Sequence, residues 1–180
     1  MIKAYFFDLM GTLIYVDKMS PLKNILPREQ HQFLLKNDIS KFISSDKNRN
    51  EIEKILYSAD ISIYSDSDTV IKTLKDEGYK LAIISNIYSV TKDKIENNFK
   101  NFLNNFDVLT WSCECGLVKP DKEIFTHTLD KLNREYNLNI ALNEVVMIGD
   151  RMDRDVQPAL EIGMKAKLID RTKQGLEDVI

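Results

Sequence analysis

Four short stretches of the chain carry residues that could do chemistry together. Asp8 follows Ala4-Tyr5-Phe6-Phe7, and Ser85-Asn86 follows Leu81-Ala82-Ile83-Ile84. Lys119 stands in Gly116-Leu117-Val118-Lys119-Pro120-Asp121, downstream of Val108-Leu109-Thr110-Trp111. Asp150, Asp153 and Asp155 crowd the segment after Val145-Val146-Met147-Ile148-Gly149. A hard cation such as Mg²⁺ takes oxygen ligands, commonly one or two carboxylates plus substrate phosphate oxygens. An ammonium and a hydroxyl can hold the remaining phosphate oxygens. If the four stretches meet, the set points to phosphoryl transfer.

The elements around these residues give a reason for them to meet. The runs before Asp8, Ser85 and Asp150, with Val108-Leu109-Thr110-Trp111 and Ala166-Lys167-Leu168-Ile169, read as strands. They are short and mostly apolar, the pattern of parallel strands buried on both faces. Amphipathic stretches separate them. Residues 68–77 place Val70, Ile71 and Leu74 at helical spacing before Gly78, a natural stop. Residues 121–136 repeat the pattern with Ile124, Phe125, Leu129 and Leu132, and 155–162 before Gly163 predict one more short helix. Alternating strands and helices imply an α/β fold with a doubly wound parallel sheet. Ligands of such sheets bind beyond the carboxyl ends of the strands, where Asp8, Ser85 and Asp150 all fall. Between 17 and 64 no strong strand signal occurs; 28–37 and 49–59 predict two helices. The expected organisation is a core of 1–16 and 65–180 interrupted by a small helical insertion, 17–64.

Composition narrows the classes of partner. The 180 residues carry 25 basic and 28 acidic side chains, a net charge of −3, which lacks the basic excess of a nucleic-acid binder. No apolar run approaches the ~20 residues that cross a bilayer, and the N-terminus lacks the pattern of a secretory leader. The expectation is a cytoplasmic protein acting on a small molecule, with no membrane or nucleic-acid partner. Nothing in the sequence fixes its oligomeric state. Cys113 and Cys115 are too few for a disulfide framework and wrongly spaced for a Cys-x-x-Cys redox pair.

The chemistry-bearing stretches also resemble a known family. Phe6-Phe7-Asp8-x-x-Gly11-Thr12-Leu13, Ile84-Ser85-Asn86, Gly116-x-x-Lys119-Pro120-Asp121 and Ile148-Gly149-Asp150-(x)4-Asp155 are similar, in order and spacing, to the four motifs of the haloacid dehalogenase-like (HAD) hydrolases. The resemblance implies a Rossmann-like core with a cap inserted after the first motif, here a short one. It implies Mg²⁺-dependent hydrolysis of a small phosphorylated substrate. Asp8 matches the nucleophile that forms an aspartyl-phosphate. Ser85, with Asn86 beside it, matches the position that binds the transferring phosphoryl group. Lys119 matches the cation that neutralises charge on nucleophile and phosphate. Asp150 matches the metal-holding acid, together with Asp8 and the backbone carbonyl of Met10. Asp155 matches a second acidic position that completes the metal site or orients the lysine, and Asp153 competes with it for that role.

One position departs from the pattern. The family's phosphatases carry a second aspartate two residues after the nucleophile, to protonate the leaving oxygen and deprotonate the attacking water; here it is Met10. A positioned acid–base group contributes about 10²–10⁴-fold, roughly 3–5 kcal/mol of barrier. Three readings compete. The enzyme keeps only substrates with good leaving groups, such as acyl or aryl phosphates. Or the chain is a weak or inactive relative that binds a phospholigand or a protein partner. Or it is a dehalogenase, which the acidic cluster disfavours. Asp17, Tyr15, Arg28, His31 and Asp60 are the candidates to replace the missing acid, His31 having the most suitable ordinary pKa. Trp111 is expected in the core, His127 on the surface, and Arg151 and Arg154 as partners of the acidic cluster.

Overall fold

The structure, a computed structural model, describes residues 1–17, 26–41 and 46–180. Its centre is a five-stranded parallel sheet built from β1 (Ala4–Phe7), β4 (Lys80–Ser85), β5 (Val108–Trp111), β6 (Val145–Gly149) and β7 (Lys165–Leu168). The order is β5-β4-β1-β6-β7, so the first strand lies in the middle and the sheet is wound in both directions from it. β1 pairs with β4 from Ala4↔Lys80 to Phe7↔Ile83 and with β6 from Ala4↔Val145 to Phe7↔Ile148. The carboxyl ends of the three central strands are thus brought level.

Alternation along the strands divides the core. Tyr5, Phe7, Leu81, Ile83, Val146 and Ile148 point to one face, where Ile71 and Leu74 of α3 (Ser67–Asp76) and Ile95 of α4 (Ser89–Asn98) cover them. Ala4, Phe6, Ala82, Ile84, Val145 and Met147 point to the other, under Ile124, Phe125, Leu129 and Leu132 of α7 (Glu123–Tyr136). A strand's period of two sends neighbours to opposite faces, which is why apolar runs without polar breaks fit here. Short helices α5 (Lys100–Leu103) and α6 (Ser112–Cys115) flank β5. A single π-helical turn, Met152–Val156, leads into α8 (Gln157–Glu161). Gly78 follows α3 at φ 87°, a left-handed stop that glycine adopts without a Cβ clash.

Both predicted insertion helices are present, as α1 (Arg28–Lys36) and α2 (Asp46–Tyr57). Leu34, Ile39, Ile52 and Leu56 form a small core of their own, against which Tyr88 and Val90 pack. The stretch is not purely helical, however. β2 (Ile14–Asp17) and β3 (Asp60–Ile63) pair antiparallel, from Ile14↔Ile63 to Asp17↔Asp60, and form its stem. Each is four residues long and half exposed, and each finds its partner more than forty residues away in sequence. That leaves too weak a local signal to read. The remainder of the expected insertion, 18–25 and 42–45, lies outside the described residues. Among the described residues, no helix is long and apolar enough to cross a membrane.

Candidate active site

Asp8 is the first residue beyond β1, and its N–H donates to the Ile148 carbonyl at 2.8 Å, which ties it to the end of β6. The chain then folds back in a tight turn, with the N–H groups of Leu13 and Ile14 donating to the Leu9 carbonyl at 2.9 and 3.0 Å. Gly11 takes φ 84° there. A Cβ at this position would stand 2.6 Å from Asp150 Oδ2, so the turn can approach Asp150 only with glycine at its tip.

Lys119 reaches Asp8 across 111 residues of sequence. Its Nζ donates to Asp8 Oδ1 at 2.5 Å and to Asp155 Oδ1 at 2.6 Å, with all three side chains buried. Asn86 holds the lysine in place. Its carboxamide donates to the Lys119 carbonyl and accepts the Lys119 N–H, both at 2.8 Å. The adjacent Ser85 is buried, and its Oγ is the one buried side-chain polar atom without a hydrogen-bond partner among the described residues. An unpaired buried hydroxyl costs about 1–3 kcal/mol, which an acceptor arriving at the strand end would relieve.

The π-helical turn sends the two competing aspartates to different places. It turns Asp155 inward, where Oδ1 meets Lys119 and Oδ2 accepts the Arg151 N–H at 3.0 Å. It leaves Asp153 on the surface, 64% exposed, paired with Arg151 at 3.1 Å. Two residues of difference in an α-helix rotate a side chain by about 200°, and the wider π turn changes that angle again. Sequence spacing alone could not separate the two.

Asp8, Asp150 and Asp155 each bring an oxygen within 4.8 Å of the others. Three carboxylates surround one lysine, so the cluster carries excess negative charge in a buried place. Burial pushes the Asp8 carboxyl well above the usual carboxylate range, opposed by Lys119 and reinforced by Asp155 and Asp150. Asp150 is raised by burial and by Asp155. Lys119 loses solvation, yet Asp8 and Asp155 hold its pKa above the ordinary value, so it stays charged. Carboxylates that resist ionisation for want of a counter-charge, with hard oxygen donors and a glycine-cleared approach, fit a small divalent cation. Asp150 and Asp8 Oδ2, which Thr12 Oγ1 meets only at 3.5 Å, have lone pairs to offer it, whereas both Asp155 oxygens are engaged at 3.0 Å or closer.

A cavity of about 330 Å³ opens over this floor. Met10, Gly11, Asn86, Lys119, Arg151 and Arg154 edge it together with the three carboxylates. Tyr15, His31, Leu35, Leu56, Tyr64 and Tyr88, with Val16, Ala59 and Thr91, make up the rest of its wall. Of the residues considered to replace the missing acid, Tyr15 and His31 line this cavity; Asp17, Arg28 and Asp60 do not. A larger, open groove beside α2, lined by residues such as Asp38, Lys54 and Asp93, holds none of the clustered carboxylates.

Arg171 gave no sequence signal, because the contacts it makes join segments far apart. Its Nε donates to the Thr12 carbonyl at 2.7 Å, Nη1 to both Asp66 oxygens at 2.9 and 2.7 Å, and Nη2 to Ser67 Oγ at 2.8 Å. Its guanidinium lies 4.4 Å from the centre of the Tyr64 ring. One side chain therefore fastens the turn after Asp8 to the base of the stem and to a wall tyrosine. The remaining expectations have plain outcomes. Trp111 is buried and donates to Glu96 Oε1 at 2.9 Å, and His127 is exposed. Burial pushes the Cys113 thiol up to about 12 and raises Cys115, so neither is a thiolate at neutral pH.

Known proteins bear on the same residues. The family model for haloacid dehalogenase-like hydrolases matches residues 2–163. The chain belongs to that family. Glyceraldehyde 3-phosphate phosphatase of Methanocaldococcus jannaschii is 33% identical over 103 residues, 56% of this chain and 41% of that protein. Bifunctional epoxide hydrolase 2 of Mus musculus is 28% identical over 109 residues, 59% of this HAD-like chain and 18% of that protein. The chain thus spans less than half the length of both. The crystal structure of a HAD family enzyme from Bacteroides thetaiotaomicron, in complex with magnesium and inorganic phosphate, is 18% identical with a TM-score of 0.70. It covers 96% of both chains and shows the shared fold.

Proposed function

We propose that this HAD-like hydrolase is a Mg²⁺-dependent phosphohydrolase of a small phosphorylated substrate with a good leaving group. It would work in the cytoplasm through an aspartyl-phosphate on Asp8. The observation that carries the reading is the buried Asp8–Lys119–Asp155 chain beside Asp150, at the carboxyl ends of β1 and β6, where α/β sheets place ligands. Phosphatase relatives and a magnesium- and phosphate-bound structural neighbour support it.

In this reading Asp8, Asp150 and the Met10 carbonyl hold the ion, which supplies positive charge against the phosphoryl oxygens when bound. Asp155 serves chiefly to aim Lys119. The lysine neutralises the transferring group, and Asn86 fixes the backbone from which it reaches. Ser85 Oγ, lacking a partner among the described residues, is the group that donates to a phosphoryl oxygen. Asp8 Oδ forms a bond to phosphorus as the bond to the leaving oxygen breaks, and the electron pair departs on that oxygen. Water then cleaves the acyl phosphate, returning the Asp8 carboxylate and releasing inorganic phosphate. The thioether of Met10 can donate no proton in the first step and accept none in the second. The barrier therefore depends on how well the leaving oxygen bears a negative charge. The stem and helices of 17–64 serve as a short cap over the cavity.

Acetyl phosphate is the direct test, because its leaving carboxylate needs no proton. Turnover that requires Mg²⁺, stops with chelator and vanishes in Asp8→Asn supports the reading. Met10 also favours a second reading, a phospholigand-binding relative without turnover. Phosphate bound at Ser85 and Lys119 with no acetyl phosphate cleaved at any Mg²⁺ concentration would establish that instead.

A further inference from the structure

The wall of the cavity outside the carboxylate floor has an unusual composition for a site that takes a sugar phosphate. Tyr15 and Tyr64 meet edge to face with ring centres 6.1 Å apart, and His31 and Tyr88 do the same at 5.6 Å. Leu35 and Leu56 line the same cavity. Among the described lining residues, every carboxylate and carboxamide belongs to the floor. Polyols are gripped by such groups, since each hydroxyl must exchange its water for a directed hydrogen bond. Rings are gripped by other rings, edge to face or offset, over large apolar areas.

Two further features favour a ring. Tyr15 stays 48% exposed, an aromatic surface left uncovered beside the turn that follows Asp8. Tyr64 is held from behind by Arg171, so its position does not depend on a ligand. At about 330 Å³ the cavity lies near the lower limit of small-molecule sites, enough for a phosphoryl group and one modest ring system. The floor makes the same selection on chemical grounds. A phenol ionises near pKa ~10, against ~15.7 for water, which an alkyl alcohol resembles. A phenolate can therefore leave without the proton that Met10 cannot give.

Resting on the phosphohydrolase reading, we propose that the leaving group is aromatic: the substrate is a small aryl phosphate whose ring lies against Tyr15, Tyr64, Tyr88 and His31. Asp8 displaces the phenolate, the P–O(aryl) bond breaks with its electron pair on the phenolate oxygen, and solvent supplies the proton. The selection thus acts twice, once by the wall on the ring and once by Met10 on the leaving oxygen.

Binding of non-hydrolysable phosphonates separates this from turnover. Calorimetry of the whole chain with Mg²⁺ should give phenylphosphonate at least a tenfold tighter Kd than methylphosphonate, about 1.4 kcal/mol. Tyr15→Ala, at an exposed position, should erase most of that preference while leaving methylphosphonate affinity within about twofold. Equal affinity for the two phosphonates, or no detectable binding of either, overturns the proposal. So does a preference that survives both Tyr15→Ala and Tyr64→Ala. Acetyl phosphate turnover without any ring preference would sink the aryl assignment and keep the hydrolase. A ring preference without turnover of any phosphate would overturn the hydrolase reading and the aryl leaving group with it, and leave only a ring-binding wall.

Discussion

The two sides of the cavity are built on different principles. The floor hangs from the ends of β1, β4 and β6, strands buried on both faces and locked in register with one another. The facing wall comes from a two-stranded stem, two helices with a four-residue core, and the segment after β4. The floor is charged and buried, and in the proposed function it carries the reaction. The wall is rich in aromatic side chains and partly exposed, and in the proposed function it selects what enters. A fold that anchors chemistry on the sheet and selection on an insertion lets the second change while the first stays in place.

Breaking the floor should have the largest consequences. Asp8→Asn removes the proposed nucleophile, and acetyl phosphate turnover should fall on the order of 10⁴-fold or more. Lys119→Met should abolish activity too, but with a second effect. It leaves Asp8 and Asp155 buried without their counter-charge, a loss of roughly 3–5 kcal/mol in chemical denaturation. A Lys119→Met protein as stable as wild type would contradict the buried triad.

Metal should stabilise the floor in a pH-dependent way. In the folded, metal-free protein the Asp8 and Asp150 carboxyls are raised above their unfolded value near ~3.9. The stability linked to them is complete below that value and falls as pH rises through the folded values. Mg²⁺ should offset the loss, so its shift in Tm should grow from mildly acid to neutral pH. At a hundredfold excess over Kd the gain should reach about 2.7 kcal/mol. A Tm shift that shrinks as pH rises would place the ion elsewhere.

The junction between floor and wall gives the smallest effect. Arg171→Ala should cost about 2 kcal/mol, the range for hydrogen bonds to charged groups. It should raise KM more than it lowers kcat, because it frees Tyr64 and leaves Lys119 untouched. Arg171→Lys should recover only part of this, since an ammonium cannot reproduce the fork on Asp66. Burial tends to raise Asp66, yet its hydrogen bonds to Arg171 and the Leu176 N–H leave its carboxyl below the usual value. The stability it contributes is present above ~3.9 and is lost as pH falls through the lower, folded value. The Arg171→Ala deficit, measured by denaturant unfolding, should therefore shrink below about pH 4.

The same contrast explains what could be read from the sequence. Asp8, Ser85, Lys119 and Asp150 follow continuous apolar runs or a compact motif, so strand pattern and spacing place them at one rim before any coordinates. Asp155 needed the π-helical turn to be told from Asp153. The stem needed a pairing between Ile14 and Ile63 that no local pattern announces. Arg171 acts through Thr12, Asp66 and Ser67, a convergence that exists only in three dimensions. Tyr15, Tyr64 and Tyr88 are individually ordinary residues, and their meaning lies in sharing one cavity with Asp8.

In the proposed function Met10 is the floor residue that ties reaction to selection. The decisive measurement is kcat/KM for an alkyl phosphate such as propyl phosphate and for acetyl phosphate, with Mg²⁺, in wild type and Met10→Asp. The account predicts that Met10→Asp raises the alkyl value about 10²-fold or more while acetyl phosphate changes less than tenfold. Equal changes for both substrates, or no gain for the alkyl phosphate, would contradict it.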